Sequence, residues 1–465
     1  MRIYLLGIAG TGMGSFAGLL RKAGHQVSGS DENVYPPMSD KLREWGITTF
    51  TPYAAENLKR ADIDLAVVGN ALRADNVEAK AARRQGIPQM SFPEALEELF
   101  LTSRHPVVVA GTHGKTTATS LLAQVLTHAG RDPSLLVGGV PLNFNEGFRL
   151  GKGEHFVIEG DEYDTAYFDK GPKFLHYRPR TAIFTGAEFD HADIYRDIAH
   201  YESAFEKFFA LLPQDGYAAA CSGFENWKRL ASFAKCKVES YCARDDIEAD
   251  WNSRWLSLGP SGASFEIDYR GKPEIRVALP AAGRHNVENA LGVYASCRAL
   301  GLKPDEIAAG FQSFRGVKRR QELRGEVKGI AIIDDFAHHP TAVRETIAAV
   351  AAQYPGRRLV AVFEPRSSTA MRKIHQDEYG HAFKGAAEAI ISHPTAIAKV
   401  PEAERVDARK MAEDIARSGT PARWMESPDA IVAALTKELR KGDVVLAMSN
   451  GAFGGLQDKL LKALA

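Results

Sequence analysis

Short strand-like runs recur along the chain, and most stop on a glycine-rich or acidic segment before helical periodicity begins. Residues 3–6, 26–29, 65–68, 107–109, 156–158 and 182–184 follow this plan in the first half; residues 330–333, 358–363, 389–392 and 444–447 follow it in the second. Apolar runs of that length predict strands buried on both faces, and strand–helix alternation predicts parallel sheets covered by helices. One region departs from the plan. Between residues 250 and 279 the helical pattern stops, Ser264-Phe265-Glu266-Ile267-Asp268-Tyr269 alternates, and Gly271-Lys272 marks a turn. That stretch predicts a small antiparallel sheet. At 465 residues the chain is too long for one ordinary core. The pattern divides it into three α/β domains, residues 1–103, 104–317 and 318–465, with the antiparallel strands in the middle one.

The middle domain is organised around Val107-Val108-Val109-Ala110-Gly111-Thr112-His113-Gly114-Lys115-Thr116-Thr117. Three β-branched residues form a buried strand, and Gly111 and Gly114 let a turn present its N–H groups to an anion. Lys115 adds a mobile positive charge, Thr116 a hydroxyl suited to Mg²⁺, and the apolar run from Ala118 to Leu126 a helix whose N-terminus faces the same anion. This is a P-loop tighter than GxxxxGK[ST], because Val109 stands where the first glycine of that spacing belongs. ATP is the expected ligand, held by Gly111, Thr112, His113, Gly114, Lys115, Thr116 and Thr117.

The first domain opens with a second glycine loop, Gly7-Ile8-Ala9-Gly10-Thr11-Gly12-Met13-Gly14, between a strand and the helical pattern Phe16, Leu19, Leu20. The next strand ends at Ser30-Asp31, and the strand at residues 65–68 ends at Gly69-Asn70-Ala71. That is a Rossmann-like start with its strand ends on one crevice. The glycines fall as GxxGxGxG instead of GxGxxG, so a nucleotide diphosphate fits as well as a nicotinamide dinucleotide. Gly10, Thr11, Gly12, Met13, Asp31 and Asn70 are the candidate contacts.

Opposite the P-loop, the strand at 156–158 delivers the carboxylates Glu159, Asp161, Glu162 and Asp164. Mg²⁺ on phosphates needs only one or two such ligands, so not all four can serve. A further strand ends in Glu188-Phe189-Asp190-His191, which brings a histidine beside an acid to the same crevice. Asn286 and Asn289 stand three apart on one helical face, where amides can read adenine; capping of the helix explains Asn286 equally well. The third domain, again Rossmann-like, contributes Lys318-Arg319-Arg320-Gln321, Asp334-Asp335-Phe336-Ala337-His338-His339-Pro340 and Glu364-Pro365-Arg366-Ser367.

Charge narrows the partners. The 58 Lys and Arg equal the 58 Asp and Glu, which gives no basic surface for nucleic acid or an anionic membrane. The N-terminus lacks a signal-peptide pattern, no apolar run is long enough to span a bilayer, and Cys221, Cys236, Cys242 and Cys297 lack CxxC spacing. A cytoplasmic enzyme with reduced thiols, no membrane anchor and no obligate protein partner is expected.

GTHGKTT, an acidic strand end, DH, GxHNxxN, an RR pair and DDxxHHP stand in that order along the chain. Together they resemble the Mur ligase superfamily over essentially the whole length. GIAGTGMG followed by GSD is similar to the branch that acts on UDP-N-acetylmuramate. Asn33-Val34-Tyr35-Pro36-Pro37-Met38-Ser39, Glu188-Phe189-Asp190-His191, Glu364-Pro365-Arg366-Ser367 and SNGAFGG resemble a subgroup whose acceptor is the murein tripeptide L-Ala-γ-D-Glu-meso-diaminopimelate. The sister group that uses free L-alanine generally carries a TQRL-like stretch after GSD and an EPHRYTR-like stretch in place of EPRSST. The resemblance implies an ATP-dependent ligase joining the lactyl carboxylate of UDP-N-acetylmuramate to the tripeptide amine in peptidoglycan recycling; L-alanine is the alternative acceptor.

By the same resemblance, Lys115 contacts the β- and γ-phosphates, Thr116 and Glu159 bind Mg²⁺, and His191 binds a second Mg²⁺. Asn286 and Asn289 face adenine, Arg320 reaches the phosphates from the domain junction, and Asp335 and His338 complete the site. The first glycine loop holds the UDP diphosphate. Arg366, with Ser367 beside it, is the candidate grip on a carboxylate of the diaminopimelate end, since arginine forks onto carboxylates; a surface arginine beside proline is the other reading. Two departures stand out. Gly186 replaces an asparagine usual in the family, and Phe205, with Lys207 nearby, occupies the position of a lysine that some members carbamylate, so carbamylation is not expected.

Overall fold

The computed structural model describes residues 1–60 and 62–465. Its first sheet is wholly parallel, in the order β3-β2-β1-β4-β5, where β1 is Arg2–Leu6, β2 Gln26–Ser30, β3 Thr48–Phe50, β4 Leu65–Val68 and β5 Gln89–Ser91. Connections leave β1 and β4 toward opposite edges, which opens a crevice between their C-terminal ends. The loop Gly7–Gly10 and the N-terminus of the helix Thr11–Lys22 lie at that opening. Phe16, Leu19 and Leu20 are fully buried beneath it, as the periodicity requires.

The middle sheet comprises β6 (His105–Ala110), β7 (Ser134–Leu136), β8 (Phe148–Arg149), β9 (His155–Gly160), β12 (Thr181–Phe184), β13 (Tyr217–Cys221), β14 (Lys237–Cys242), β15 (Trp251–Gly259), β16 (Gly262–Tyr269) and β17 (Lys272–Leu279), with a separate hairpin of β10 (Asp164–Ala166) and β11 (Asp169–Pro172). Its order is β17-β16-β15-β14-β13-β12-β6-β9-β7-β8. The antiparallel strands expected from residues 250–279 are present and continuous with the parallel sheet, because β15 pairs with β14 at Tyr241–Trp251 and Cys242–Asn252. Strands β9, β6 and β12 are neighbours, so the acidic loop, the P-loop and the loop bearing His191 emerge side by side. The third sheet, β18-β19-β23-β20-β21-β22, comprises β18 (Glu322–Val327), β19 (Ile330–Asp335), β20 (Leu359–Phe363), β21 (Glu388–Ser392), β22 (Ala422–Met425) and β23 (Val444–Met448); only β18 runs antiparallel.

The two seams between domains differ in chemistry. Phe16 meets Phe92 and Phe100, Phe100 meets Phe156 on β9, and Trp45 meets Phe148 at 5.0 Å between ring centres. One hydrophobic core thereby runs from the first domain into the middle one. The third domain keeps its own core on each face of its sheet. It meets the middle domain largely through polar groups: Thr369 Oγ1 accepts from Ala192 N at 3.2 Å, His375 Nε2 lies 3.0 Å from the carbonyl of Phe189, and Thr341 Oγ1 donates to Glu188 Oε1 at 3.1 Å. No helix among the described residues is long and apolar enough to cross a membrane.

Gly186 stands where neither the backbone angle nor the neighbouring packing admits a side chain. Its φ is +112°, its carbonyl accepts from Thr112 N at 2.9 Å, and a Cβ there would lie 2.0 Å from the Phe224 ring. Gly186→Ala should therefore cost about 2–4 kcal/mol, from positive-φ strain and overpacking together. Urea unfolding measures this, and a loss below about 0.5 kcal/mol would mean that the loop relaxes freely.

Candidate functional site

At the end of β6 the chain turns through Gly111, with φ +136°, and Gly114, with φ +79°, into the helix Lys115–His128. A Cβ on Gly111 would lie 2.3 Å from Thr185 Oγ1, and one on Gly114 would lie 2.3 Å from Asn289 Oδ1. Glycine is required at both positions by backbone angle and by close approach. Thr112 donates its hydroxyl to the carbonyl of Glu188 at 2.9 Å, and His113 Nε2 lies 2.9 Å from Glu188 Oε2. Thr117 follows, half-buried, in the first helical turn.

Each acid after β9 has a different partner. Glu159 Oε1 accepts from Thr116 Oγ1 at 2.8 Å, and its Oε2 accepts from Gly138 N at 2.7 Å. Asp161 accepts from Lys173 Nζ at 2.9 Å and from Tyr163 Oη at 2.8 Å. Glu162, 1% exposed, takes Lys115 Nζ at 2.8 and 3.0 Å, Tyr201 Oη at 3.2 Å and His191 Nε2 at 3.2 Å. Asp164 pairs with the exposed Lys170. Glu162 and Lys173 were not singled out from the sequence. An acid run does not say which member turns inward, and a lone lysine beyond a hairpin carries no motif.

Burial and charge set the protonation of this cluster. Burial alone would raise Glu162, yet Lys115 and His191 hold it at about 2. Burial would lower His191, yet its hydrogen bond and charge interaction with Glu162 raise it to about 9. Glu159 is pushed up by desolvation and by neighbouring Asp161, which a bound cation would relieve. His191 also sits at φ +53°, a strained backbone for a residue other than glycine.

The third domain reaches over this cluster. Arg320 Nη2 donates to Thr116 Oγ1 at 3.3 Å while its guanidinium stacks 4.8 Å from the Phe336 ring centre. Asp335, nearly fully buried, accepts from Gln321 N at 2.8 Å and Ala337 N at 2.7 Å, and so braces the loops on either side. His338 Nε2 stands 3.6 Å from Asp190 Oδ2; burial opposes ionisation of Asp190, but His338 and His191 hold it well below the usual carboxylate range. Asn286 gives its amide to the carbonyl of Ala282 at 2.7 Å, and Asn289 lies against Gly114. Arg366 crosses Gly451 and donates to Thr395 Oγ1 at 3.2 Å, with Glu364 Oε1 3.7 Å away; Ser367 Oγ accepts from the amide of Ala370 at 3.0 Å.

A cleft of about 790 Å³ links the first domain to this cluster. Gly10, Thr11, Gly12, Met13, Asp31 and Asn70 line one end; Gly138, Glu159, Asp161, Tyr163 and Lys173 line the other. Asp31 accepts from the amides of Ala9 and Glu32 at 2.9 and 2.8 Å, which fixes the glycine loop. Phe205 is enclosed by Phe174, Phe184 and Tyr201. In Glu162→Gln, His191 loses the interaction that raises it, so its pKa should fall from about 9 by at least about one unit. The stability this pair supplies through His191 is complete below the ordinary value of 6.5 and is lost as pH rises through about 9. NMR titration of the imidazole in both proteins tests this; an unmoved His191 would assign the shift to another group.

Family profiles described as "Mur ligase family, catalytic domain", "Mur ligase middle domain" and "Mur ligase, glutamate ligase domain" match residues 2–104, 109–297 and 319–451. The UDP-N-acetylmuramate–L-alanyl-γ-D-glutamyl-meso-2,6-diaminoheptandioate ligase of Escherichia coli is 38% identical, covering 100% of this chain and 98% of that protein. The ligase of the same name from Haemophilus influenzae is 35% identical over 99% of each chain. The crystal structure of a murein peptide ligase from Psychrobacter arcticus superposes with a TM-score of 0.75 at 36% identity, covering 100% of this chain and 98% of that one. With a P-loop, an acidic strand end and a polar third domain arranged as described, and with full-length similarity of this degree, the chain belongs to the Mur ligase family.

Proposed function

We propose that the chain joins the lactyl carboxylate of UDP-N-acetylmuramate to the α-amine of L-Ala-γ-D-Glu-meso-diaminopimelate at the expense of ATP, in the cytoplasm, as a step of peptidoglycan recycling. The observation that carries this reading is the continuous cleft. It runs from the glycine loop of the first domain to Glu159, which is hydrogen-bonded to the P-loop residue Thr116. A sugar nucleotide anchored at Gly10–Met13 and Asn70 therefore extends its carboxylate toward the phosphates of ATP. The full-length relatives named for this acceptor support the choice of tripeptide. In this reading the domains divide at residues 1–103, 104–317 and 318–465, binding sugar nucleotide, ATP and peptide in turn.

The lactyl carboxylate attacks the γ-phosphorus of ATP, forming an acyl phosphate and releasing ADP. The neutral amine then attacks the acyl carbon, phosphate leaves, and the nitrogen loses a proton. Attack by an anion on an anion demands nearby positive charge. Lys115 and His191 are both paired with Glu162, and anionic phosphates entering the P-loop compete for the same cations. Arg320 is already within reach of Thr116. Thr116 and Glu159 offer adjacent oxygen donors on a carboxylate whose charge is poorly compensated, which fits Mg²⁺; the ion would neutralise phosphate charge. His191 would hold a second Mg²⁺ once its proton and Glu162 are exchanged away. Gly111 to Thr117 cradle the phosphates, and Asn286 and Asn289 flank the adenine side. Asp335 holds the Arg320 loop in place, and His338, steadied by Asp190, faces the amine. Arg366 and Ser367 meet the diaminopimelate end.

Phosphate release from ATP and UDP-N-acetylmuramate should require the tripeptide and remain at background with free L-alanine. Release with L-alanine alone would move the chain to the biosynthetic activity and remove the role given to Arg366. Lys115→Ala should lose about 10³-fold in turnover while keeping its fold by circular dichroism. Retained turnover would refute the placement of ATP. Arg366→Ala should raise the tripeptide KM by about ten-fold with little change in kcat, since a forked contact remote from the reacting atoms contributes uniform binding.

A further inference from the structure

A second constellation lies at the seam between the P-loop and the third domain, and shares no residue with the oxygen donors Thr116 and Glu159. His113 comes from the P-loop, Glu188 from the loop after β12, and His339 from the residue that precedes the helix Pro340–Gln353. His113 Nε2 and Glu188 Oε2 are 2.9 Å apart, and His339 Nδ1 is 3.6 Å from the same oxygen. The two imidazole rings lie 4.6 Å apart between centres with their planes tilted by 51°, and one ligand atom from each residue falls within 4.8 Å of the others. We propose that His113, Glu188 and His339 form a binding site for Zn²⁺ or a similar nitrogen-seeking divalent ion, with a fourth position left to water.

The geometry suits such an ion. Ligands about 2.0–2.1 Å from a tetrahedral Zn²⁺ stand ~3.3 Å apart, between the two separations observed here. Thr341 donates its hydroxyl to Glu188 Oε1 at 3.1 Å, the outer hydrogen bond that fixes a ligating carboxylate. His339 is 4% exposed, and Nδ1 is engaged only by a long 3.3 Å bond from Thr341 N. Its Nε2 is buried without a hydrogen-bond partner, set edge-on against the His375 ring. Burial and adjacent His113 keep the His339 imidazole neutral, the form that ligates. Two nitrogens and one oxygen favour Zn²⁺, Co²⁺ or Ni²⁺ over Mg²⁺, whereas Thr116 and Glu159 present oxygen alone. The two sites therefore sort different ions. Since two ligands belong to the middle domain and one to the third, an ion bound here ties the P-loop to the third domain and resists their separation.

The test uses the full-length chain in excess Mg²⁺, so that oxygen sites are filled, with Co²⁺ titrated by visible absorption and then displaced by Zn²⁺. About one equivalent of Co²⁺ should give intense tetrahedral-type bands that Zn²⁺ abolishes. His339→Gln and Glu188→Gln should each lose these bands, while His338→Gln, whose ring faces Asp190, should retain them. Zn²⁺ should also raise the melting temperature of the wild-type chain and leave His339→Gln unmoved. Absence of the bands in the wild type, or their persistence in both His339→Gln and Glu188→Gln, overturns the proposal. Circular dichroism without metal confirms that each variant is folded; if one is not, the other decides. The readout is metal binding and holds whatever acceptor the ligase uses.

Discussion

The structure depends on keeping the charge of Lys115 neutralised inside the protein. Its side chain is 12% exposed, and an isolated buried cation would cost several kcal/mol or lose its proton. Glu162 meets that demand and simultaneously holds His191, so two cations and one anion share one small volume. The same arrangement explains readiness for phosphate. A nucleotide offers the two cations a second set of anionic oxygens without new charge having to be buried first. The energetic balance is an exchange of partners, which is smaller than the cost of assembling a charged site from water.

The seams between domains follow the same division between fixed and exchangeable contacts. Phe16, Phe92, Phe100 and Phe156 make the first and middle domains one hydrophobic body, each ring contributing roughly 1.5–3 kcal/mol of burial. The two ends of the cleft, at the first glycine loop and at Glu159, are thereby held in register. The third domain rests instead on hydrogen bonds and partly exposed ion pairs, which water replaces at little net cost. In the proposed reaction, where this domain admits a peptide and releases a product, that kind of contact suits the task.

Small backbone details connect these levels. Gly111 and Gly114 leave room for Thr185 and Asn289 to lie directly against the P-loop, and Gly186 passes its carbonyl to Thr112 because no side chain stands in the way of Phe224. Asp335 and Asp31 behave alike on opposite sides of the molecule. Each gives its carboxylate to two backbone amides and thereby holds a loop that faces the cleft or the P-loop.

Much of this was legible in the amino-acid order. The parallel strands, the two glycine loops, the antiparallel extension and the convergence of residues 159 and 191 on the P-loop follow from local periodicity, and from the rule that strand ends in open sheets share a crevice, whereas the approach of Arg320 and Asp335 was implied only by the resemblance to the Mur ligases. What the order of residues could not decide was partnership. Nothing local distinguishes Glu159, Asp161, Glu162 and Asp164, yet one meets Thr116, one Lys173, one both Lys115 and His191, and one a surface lysine. Those choices depend on groups up to 47 positions away along the chain, brought close only when β6, β9 and β12 align. Asn286 likewise reads as an adenine contact or a cap; the fold makes Gly283 the cap residue and puts the Asn286 amide on the carbonyl of Ala282, so the capping reading does not hold. Periodicity is a local property and survives in the sequence; electrostatic pairing acts through space and exists only once the chain has folded.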